Sequence, residues 1–127
     1  MSNAALGKVY KDGETVMRQG QPVDCMYVIQ SGEVDIVREE EGSEVPLARL
    51  KTRDFFGEVP LFERLNQMGT GRATARAVTE ARILTVDKKM VLRRIHEDPS
   101  LAYRIMETMS RRIRELEEDM VRLLTEE

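Results

Sequence analysis

Glycine is distributed so unevenly along this chain of 127 residues that its two parts must fold differently. All eight glycines lie from Gly7 to Gly71, and none follows Gly71. Glycine provides the backbone conformations of tight turns and destabilises the interior of a helix. The sequence therefore predicts turn-linked strands over residues 8–86 and helices beyond Asp87.

The composition fits one domain with a heavily solvated surface. Hydrophobic residues make up 41% of the chain and charged residues 34%. The net charge of −3 argues against nucleic acid as a partner, because nonspecific binding to phosphates requires strong positive charge. No apolar run approaches the roughly 20 residues of a membrane-spanning helix. A single cysteine fits a reducing compartment, so we expect a cytoplasmic domain with no membrane partner.

Reactive side chains are too few to suggest catalysis. The chain contains one histidine, one cysteine and no tryptophan. His96 lies where positive charge favours the end of a helix, and Cys25 opens a strand as a small core residue. No nucleophile, base and orienting group recur at a workable spacing. The sequence therefore predicts a protein that is not an enzyme and that holds neither a metal nor a cofactor.

Residues 8–86 carry the pattern of short β-strands separated by turns. Apolar and polar side chains alternate, and β-branched residues are frequent. The predicted strands are residues 25–30, 34–37, 45–50, 72–78 and 82–86. The polar residues 39–43 form the turn of one hairpin, and Thr79 and Glu80 join the last two strands as another. Many short strands at this spacing predict a small antiparallel β-barrel or jelly roll.

Two helices are predicted after the strands. Asp87 precedes an amphipathic helix over residues 88–96, and Asp98 with Pro99 begins a second helix that continues to about Leu124. The predicted fold class is therefore α+β, mainly β: an antiparallel barrel or jelly roll with flanking helices and a long C-terminal helix. The predicted boundaries are 5–98 for the barrel with its short helices and 99–127 for the long helix. Residues 1–4, Met-Ser-Asn-Ala, are typical of the remnant of a cleaved expression tag.

The long helix carries a heptad pattern of apolar side chains. Spacings of three and four residues separate Met106, Met109, Ile113, Leu116, Met120 and Leu123. These residues occupy the a and d positions of a coiled coil, and a parallel pair of helices would place Arg112 opposite Glu117 of the partner subunit. The pattern predicts a homodimer interface. The alternative is that the same side chains pack against the chain's own barrel.

Two glycine-containing segments indicate a binding pocket. Gly57 permits a sharp turn, and a short helix beginning at Glu58 would direct its unpaired amides into the barrel. Helix N-termini bind anions, phosphate above all. Arg72 supplies a guanidinium for phosphate, and the Glu58 carboxylate accepts hydrogen bonds from sugar hydroxyls. These segments predict a pocket for phosphate and sugar.

Six short segments, taken in order, show a family resemblance. They are residues 12–16 (DGETV), 18–20 (RQG), 26–34 (MYVIQSGEV), 54–58 (DFFGE), 76–79 (RAVT) and 98–101 (DPSL). With these the chain resembles the cyclic nucleotide-binding domains, the sensor part of the catabolite activator and fumarate–nitrate regulators. The same domain occurs in kinase regulatory subunits and gated channels. The resemblance covers the chain from Lys8 to Leu124 and implies a cyclic nucleotide such as cAMP or cGMP as the ligand.

The resemblance also implies which residues contact the ligand. They are Phe56, Gly57, Glu58, Val59, Gly71, Arg72, Ala73, Thr74 and, on the long helix, Leu116. The Gly57 amide and the Glu58 carboxylate match the family's phosphate and ribose contacts. Pro60 stands where the family has an amide donor, and Leu116 stands at a base-contacting position. Gly71 occupies the position of the phosphate-binding arginine, and a bulge would return Arg72, one residue later, to the pocket.

Two hypotheses about function result. In the first, the domain is a sensor in which a cyclic nucleotide shifts the segment after Glu58, and the helix from Pro99 relays the change to a downstream effector. In the second, the chain is a structural dimerisation or interaction module whose pocket binds no nucleotide. A second copy of the chain is the expected protein partner in both.

Overall fold

The computed structural model describes residues 6–57 and 69–126. The predicted tag remnant and Glu58, Val59 and Pro60 therefore lie outside the described residues. The chain divides into two compact units, Met1–Lys89 and Met90–Glu127.

The first unit is built from antiparallel strands. The described residues contain β1 (Lys8–Tyr10), β2 (Thr15–Met17), β3 (Pro22–Val23), β4 (Cys25–Ser31), β5 (Val34–Glu40), β6 (Ser43–Leu50), β7 (Phe55–Phe56), β8 (Gly69–Thr70), β9 (Thr74–Ala77) and β10 (Ala81–Asp87). One sheet has the order β1-β10-β4-β7, a second has the order β2-β9-β5-β6, and β3 pairs with β8. The predicted antiparallel, mainly β architecture of the jelly-roll type is confirmed.

The hairpin of β5 and β6 forms where the polar residues 39–43 predict a turn. Glu40 pairs with Ser43, which leaves Glu41 and Gly42 as the two turn residues. Both have positive φ, at 41° and 82°. Two-residue hairpin turns of this kind match the right-handed twist of the flanking strands, and glycine relieves the strain at one position.

The predicted hairpin between the last two strands is wrong. β9 pairs with β2 and β5, whereas β10 pairs with β1 and β4 in the other sheet. Thr79 and Glu80 therefore carry the chain from one sheet to the other. The Thr79 hydroxyl accepts a hydrogen bond from the Glu33 amide at 3.1 Å, which ties this crossover to the turn between β4 and β5.

The core of the first unit is made of small and branched side chains from both sheets. Ile29 and Ile83 come from the first sheet, and Val34, Ala75 and Ala77 come from the second. Phe56 joins this cluster and stacks on Tyr27 with 4.9 Å between ring centroids. The alternation that predicts strands agrees with burial on β10, where Ala81 and Ile83 are buried, but not on β6, where Val45 and Leu47 are exposed.

Charged side chains pair across the strands of the second sheet. Arg49 on β6 donates to both carboxylate oxygens of Asp35 on β5, at 2.7 and 2.9 Å. The two residues lie directly opposite each other in the antiparallel register. These hydrogen bonds hold the pKa of Asp35 below its usual range.

This ion pair predicts a dependence of stability on pH. Because the ionised form of Asp35 is favoured in the folded state, its contribution is complete above the unfolded-state pKa of about 3.9 and is lost as the pH falls through the lower folded-state value. We expect urea denaturation between about pH 6 and about pH 2 to show a shallower acid-induced loss of stability in Asp35→Asn than in the unmodified protein. Arg49→Gln should likewise make the loss of stability over this pH range shallower, because it removes the hydrogen-bond donor to Asp35. Parallel curves for all three proteins would contradict this.

The second unit contains the helices. Helix α1 (Lys88–Glu97) begins at the end of the first unit, and helix α2 (Ser100–Thr125) follows after two residues. The two predicted helices are therefore confirmed, and α2 runs without interruption for 26 residues. At 1.5 Å per residue its length is about 39 Å.

Asp98 caps the start of α2. Its Oδ1 accepts hydrogen bonds from the Ser100 amide at 3.1 Å and from the Ser100 hydroxyl at 2.6 Å. The same hydrogen bonds lower the pKa of Asp98. Pro99 follows Asp98 with helical φ and ψ angles, as expected for a proline in the first turn of a helix.

The heptad side chains of α2 are largely accessible in the single chain. Five of them are exposed: Met106, Ile113, Leu116, Met120 and Leu123. Met109 is half-buried, and Ile105, outside the heptad positions, is buried. An apolar stripe of this length on one helix is typical of an interaction surface.

Candidate ligand-binding site

The end of β7 provides the first side of the candidate site. Phe56 is buried and pairs with Tyr27 of β4, while Gly57 follows with φ at +87°. A Cβ atom at Gly57 would lie 3.1 Å from the Cys25 carbonyl oxygen and 3.1 Å from Cδ2 of Tyr27. Glycine therefore allows the backbone to turn sharply while it stays against β4.

The side chains of Cys25 and Tyr27, the two residues of β4 next to Gly57, are neutral. Burial raises the pKa of the Cys25 thiol and of the Tyr27 phenol, so both groups keep their protons at neutral pH. Cys25 is buried, in agreement with its predicted role as a small core residue. Both side chains are therefore uncharged, although the Asp24 carboxylate acts on each of them.

Gly71 forms the second side and is held by a turn from a distant part of the chain. Its amide donates to the Gln21 carbonyl oxygen at 2.8 Å, and its own carbonyl accepts from the Gly20 amide at 2.8 Å. A Cβ atom at this position would lie 2.9 Å from the Arg18 carbonyl oxygen. The backbone of the turn thus occupies the space that a side chain at position 71 would need.

Gly71→Ala is expected to destabilise the protein. The added methyl group must displace the backbone of Arg18, and overpacking of this kind costs about 1–3 kcal/mol. The free energy of unfolding from urea denaturation measures the effect. An unchanged unfolding midpoint would mean that the turn relaxes freely around Gly71.

Beyond Gly71 the chain enters β9 through residues of contrasting exposure. The Arg72 side chain is exposed, Ala73 is buried, and Thr74 is fully buried. Thr74 Oγ1 accepts a hydrogen bond from the Gln19 amide at 3.1 Å. The Thr74 hydroxyl is therefore already engaged in a hydrogen bond within the protein.

Gln19 extends this connection from β9 to β5. Its side-chain Nε2 donates to the Glu39 carbonyl oxygen at 3.1 Å, and its Oε1 accepts from the Glu39 amide at 2.8 Å. Sequence reasoning did not single out Gln19 as a positioning residue, although the Arg-Gln-Gly segment that contains it contributes to the family resemblance. The long-range hydrogen bonds that define its role leave no local signal.

Arg76 is paired with a carboxylate of the second sheet. Its guanidinium donates to both carboxylate oxygens of Glu44 on β6, at 3.0 and 2.7 Å. These hydrogen bonds lower the pKa of Glu44 and raise the pKa of Arg76. Arg76 is therefore committed to a surface ion pair.

The predicted site residues come together only in part. A Cβ atom at Gly57 would contact Cys25 and Tyr27, and one at Gly71 would lie 3.5 Å from Cγ2 of Val23. The two segments thus both lie beside residues 23–27. Glu58 and Val59 lie outside the described residues, and Leu116 is an exposed residue of α2 in the second unit.

The described residues offer neither a metal-binding cluster nor a membrane-spanning helix. Within residues 6–57 and 69–126, no three His, Cys, Asp or Glu side chains are grouped so that they could hold a metal ion. Neither α1 nor α2, the helices of the described part of the chain, is long and apolar enough to span a membrane.

Comparison with known proteins identifies the class to which this fold and site belong. The model of the cyclic nucleotide-binding domain family matches residues 7–98. The chain therefore belongs to the cyclic nucleotide-binding domain family, and the predicted resemblance is confirmed. The match includes both Gly57 and Gly71.

Individual relatives have different activities. A CRP-like cAMP-activated global transcriptional regulator of Mycobacterium tuberculosis is 29% identical over 113 residues, which cover 88% of this chain and 49% of that protein. A putative potassium channel protein of Rhodopseudomonas palustris is 36% identical over 95 residues, which cover 73% of this chain and 21% of the channel. The chain thus spans about half the length of the regulator and a smaller part of the channel.

The fold also matches a solved structure of a regulator. The crystal structure of the catabolite activator protein of Thermus thermophilus superimposes with a TM-score of 0.76 at 28% sequence identity. The alignment covers 91% of this chain and 53% of that protein. The similarity therefore extends over most of the chain.

Proposed function

We propose that this chain is a regulatory, non-catalytic domain that binds a cyclic nucleotide of the cAMP or cGMP kind and relays the binding event through α2 to an effector. The observation that carries the proposal is the family match over residues 7–98. A cAMP-activated regulator and a channel protein among the relatives support a sensor that serves different effectors. We propose a cytoplasmic location for the domain.

In this proposal the two glycine segments receive the sugar and the phosphate. The backbone at Gly57 and the carboxylate of Glu58 hold the phosphate and the ribose, and Arg72 adds a guanidinium from the start of β9. Phe56, Val59, Ala73 and Thr74 shape the pocket, and Leu116 covers the base by apolar contact. The Cys25 thiol and the Tyr27 phenol beside this segment stay protonated, so these two side chains add no negative charge that would oppose the phosphate.

We further propose that α2 forms a homodimer through its heptad side chains. The exposure of Ile113, Leu116 and their heptad neighbours supports this interface. A parallel pair would bring Arg112 near Glu117 of the partner subunit, which adds a favourable charge interaction. Ligand binding would then act on the effector by shifting the population of two arrangements of α2.

Calorimetric titration tests the proposal directly. The protein is titrated with cAMP and with cGMP, and adenosine 5′-monophosphate serves as the control that lacks the cyclic phosphate. We expect saturable heat with at least one cyclic nucleotide and weaker binding of the control. The absence of both heat and thermal stabilisation at about millimolar ligand would overturn the sensor proposal, since specific binding even at this weak level corresponds to about −4 kcal/mol.

The alternative function, a structural dimerisation or interaction module, is favoured by one observation. The Arg18 backbone fills the space for a side chain at Gly71, where the family resemblance implies an arginine. A module of this kind would dimerise through α2 without responding to nucleotides. Dimerisation that persists together with silent titrations would favour this alternative.

A further inference from the structure

The second unit contains a recess that neither the candidate ligand-binding site nor the heptad stripe uses. It lies between the second half of α1 and the first turns of α2, and its volume is about 400 Å³. Three arginines line it: Arg93 and Arg94 from α1 and Arg104 from α2. Met90 and Leu101 contribute apolar surface.

The charges of the recess are only partly compensated within the chain. Its acidic residues are Glu97 and Asp98, so three arginines face two carboxylates. The Asp98 carboxylate is already held by Ser100, and its other oxygen lies 4.0 Å from Nη2 of Arg104. The recess therefore retains net positive charge, and this charge is least compensated at the arginines of α1.

Arg93 and Arg94 provide that uncompensated charge. Among the residues that the structure describes, neither guanidinium forms an ion pair, although Glu97 lies one helical turn after Arg93. Guanidinium groups with unoccupied donors attract an anion, and phosphate accepts two parallel hydrogen bonds from such a fork.

We propose that this recess binds a small phosphate-bearing ligand. Its volume lies within the range of roughly 300–1,000 Å³ that is usual for small-molecule sites. Arg93, Arg94 and Arg104 hold the phosphate groups, and Leu101 and Met90 contact any apolar part of the ligand. Because the site lies entirely on α1 and α2, the proposal does not depend on nucleotide binding to the first unit.

A titration followed by NMR tests the proposal. Inorganic pyrophosphate is added to the ¹⁵N-labelled full chain at constant ionic strength, and amide shifts are followed for every residue. We expect saturable shifts concentrated at residues 90–104. Shifts concentrated at residues 71–74 instead, or none up to about 10 mM pyrophosphate, would overturn the proposal.

A pair of matched variants separates a specific site from general charge attraction. Arg93→Gln combined with Arg94→Gln should weaken pyrophosphate binding about tenfold or more, because each lost charge-assisted hydrogen bond contributes to affinity. Arg111→Gln combined with Arg114→Gln removes the same charge from α2 outside the recess and should change the affinity less than about twofold. Equal weakening by both variants would overturn the proposal.

Adenosine 5′-diphosphate in a parallel titration distinguishes two sources of the phosphate. Tighter binding of the nucleotide, again with shifts at residues 90–104, would assign the recess to an organic phosphate that contacts Leu101 and Met90. Tighter binding of pyrophosphate would assign it to inorganic phosphates. Either result supports the proposal, and shifts from both ligands outside residues 90–104 would contradict it.

Discussion

Replacing Ile113 by aspartate is expected to dissociate the dimer that we propose for α2, whereas the same replacement of Val121 leaves it intact. Ile113 occupies an a position of the heptad, and Val121 occupies a b position on the outer side of the paired helices. The two side chains are similarly exposed in the single chain, at 56% and 61%. A difference between the two variants therefore reflects the heptad position, because the introduced residue is the same and the exposure is similar.

The expected effect of Ile113→Asp is large because the change occurs twice in each dimer. Burying one isoleucine is worth about 1.5–3 kcal/mol, so two together contribute roughly 3–6 kcal/mol. The dimer dissociation constant should rise at least about a hundredfold. Sedimentation equilibrium measures the constant for both variants.

Two results would contradict the dimer proposal. One is equal dissociation constants for Ile113→Asp and Val121→Asp. The other is an unmodified protein that sediments as a monomer at about micromolar concentration, where a stable coiled coil would be paired. Circular dichroism at matched concentration checks that α2 remains helical in both variants.

Arg72→Ala is expected to weaken cyclic nucleotide binding far more than Arg76→Ala. Arg72 stands beside Gly71 at the candidate ligand-binding site, whereas Arg76 is engaged in a bidentate pair with Glu44. Loss of hydrogen bonds from a charged donor should reduce affinity roughly 10- to 100-fold for Arg72→Ala. Arg76→Ala should change it less than about twofold, because a surface ion pair contributes little.

Calorimetry with cAMP provides the measurement for both arginine variants. Arg72→Lys serves as a further control, since it keeps the charge but loses the fork of donors and should recover part of the affinity. Equal losses for Arg72→Ala and Arg76→Ala would reject the assignment of Arg72 to the pocket. That result would not affect the family match itself, which rests on residues 7–98.

Local sequence signals predicted the elements whose causes are local. The turn at Glu41 and Gly42 needs positive φ, and a glycine within a polar run predicts this turn. Asp98 and Pro99 predict the start of α2, and the absence of any later glycine predicts its length. Strand alternation likewise indicates the core side chains Ala81 and Ile83 of β10, although Val45 and Leu47 of β6 are exposed.

Strand pairing could not be predicted in the same way. Thr79 and Glu80 have the sequence of a hairpin turn, yet β9 and β10 belong to different sheets. In a jelly roll the neighbours of a strand come from distant parts of the chain, as when Arg76 of β9 lies opposite Thr15 of β2. Such pairing depends on the whole sheet and leaves no signal in the intervening residues.

The candidate site was predictable as a set of segments, but not in its geometry. Gly57 and Gly71 both appear in sequence as turn glycines. In the structure Gly57 has the left-handed backbone that this reading implies, whereas Gly71 is required by the close approach of the Arg18 carbonyl group. The reason for Gly71 thus lies more than fifty residues away in the chain, where no local pattern could reveal it.

Gln19 makes the amide proton of Glu39 a reporter for events at β9. The Glu39 amide is held by the Gln19 side chain, and the Gln19 amide is held in turn by Thr74. A ligand that shifts residues 71–74 is therefore expected to change how often the Glu39 amide opens to solvent, although Glu39 is not among the proposed ligand contacts. The deuterium-exchange rate of this one amide proton therefore measures a movement of β9 inside the sheet.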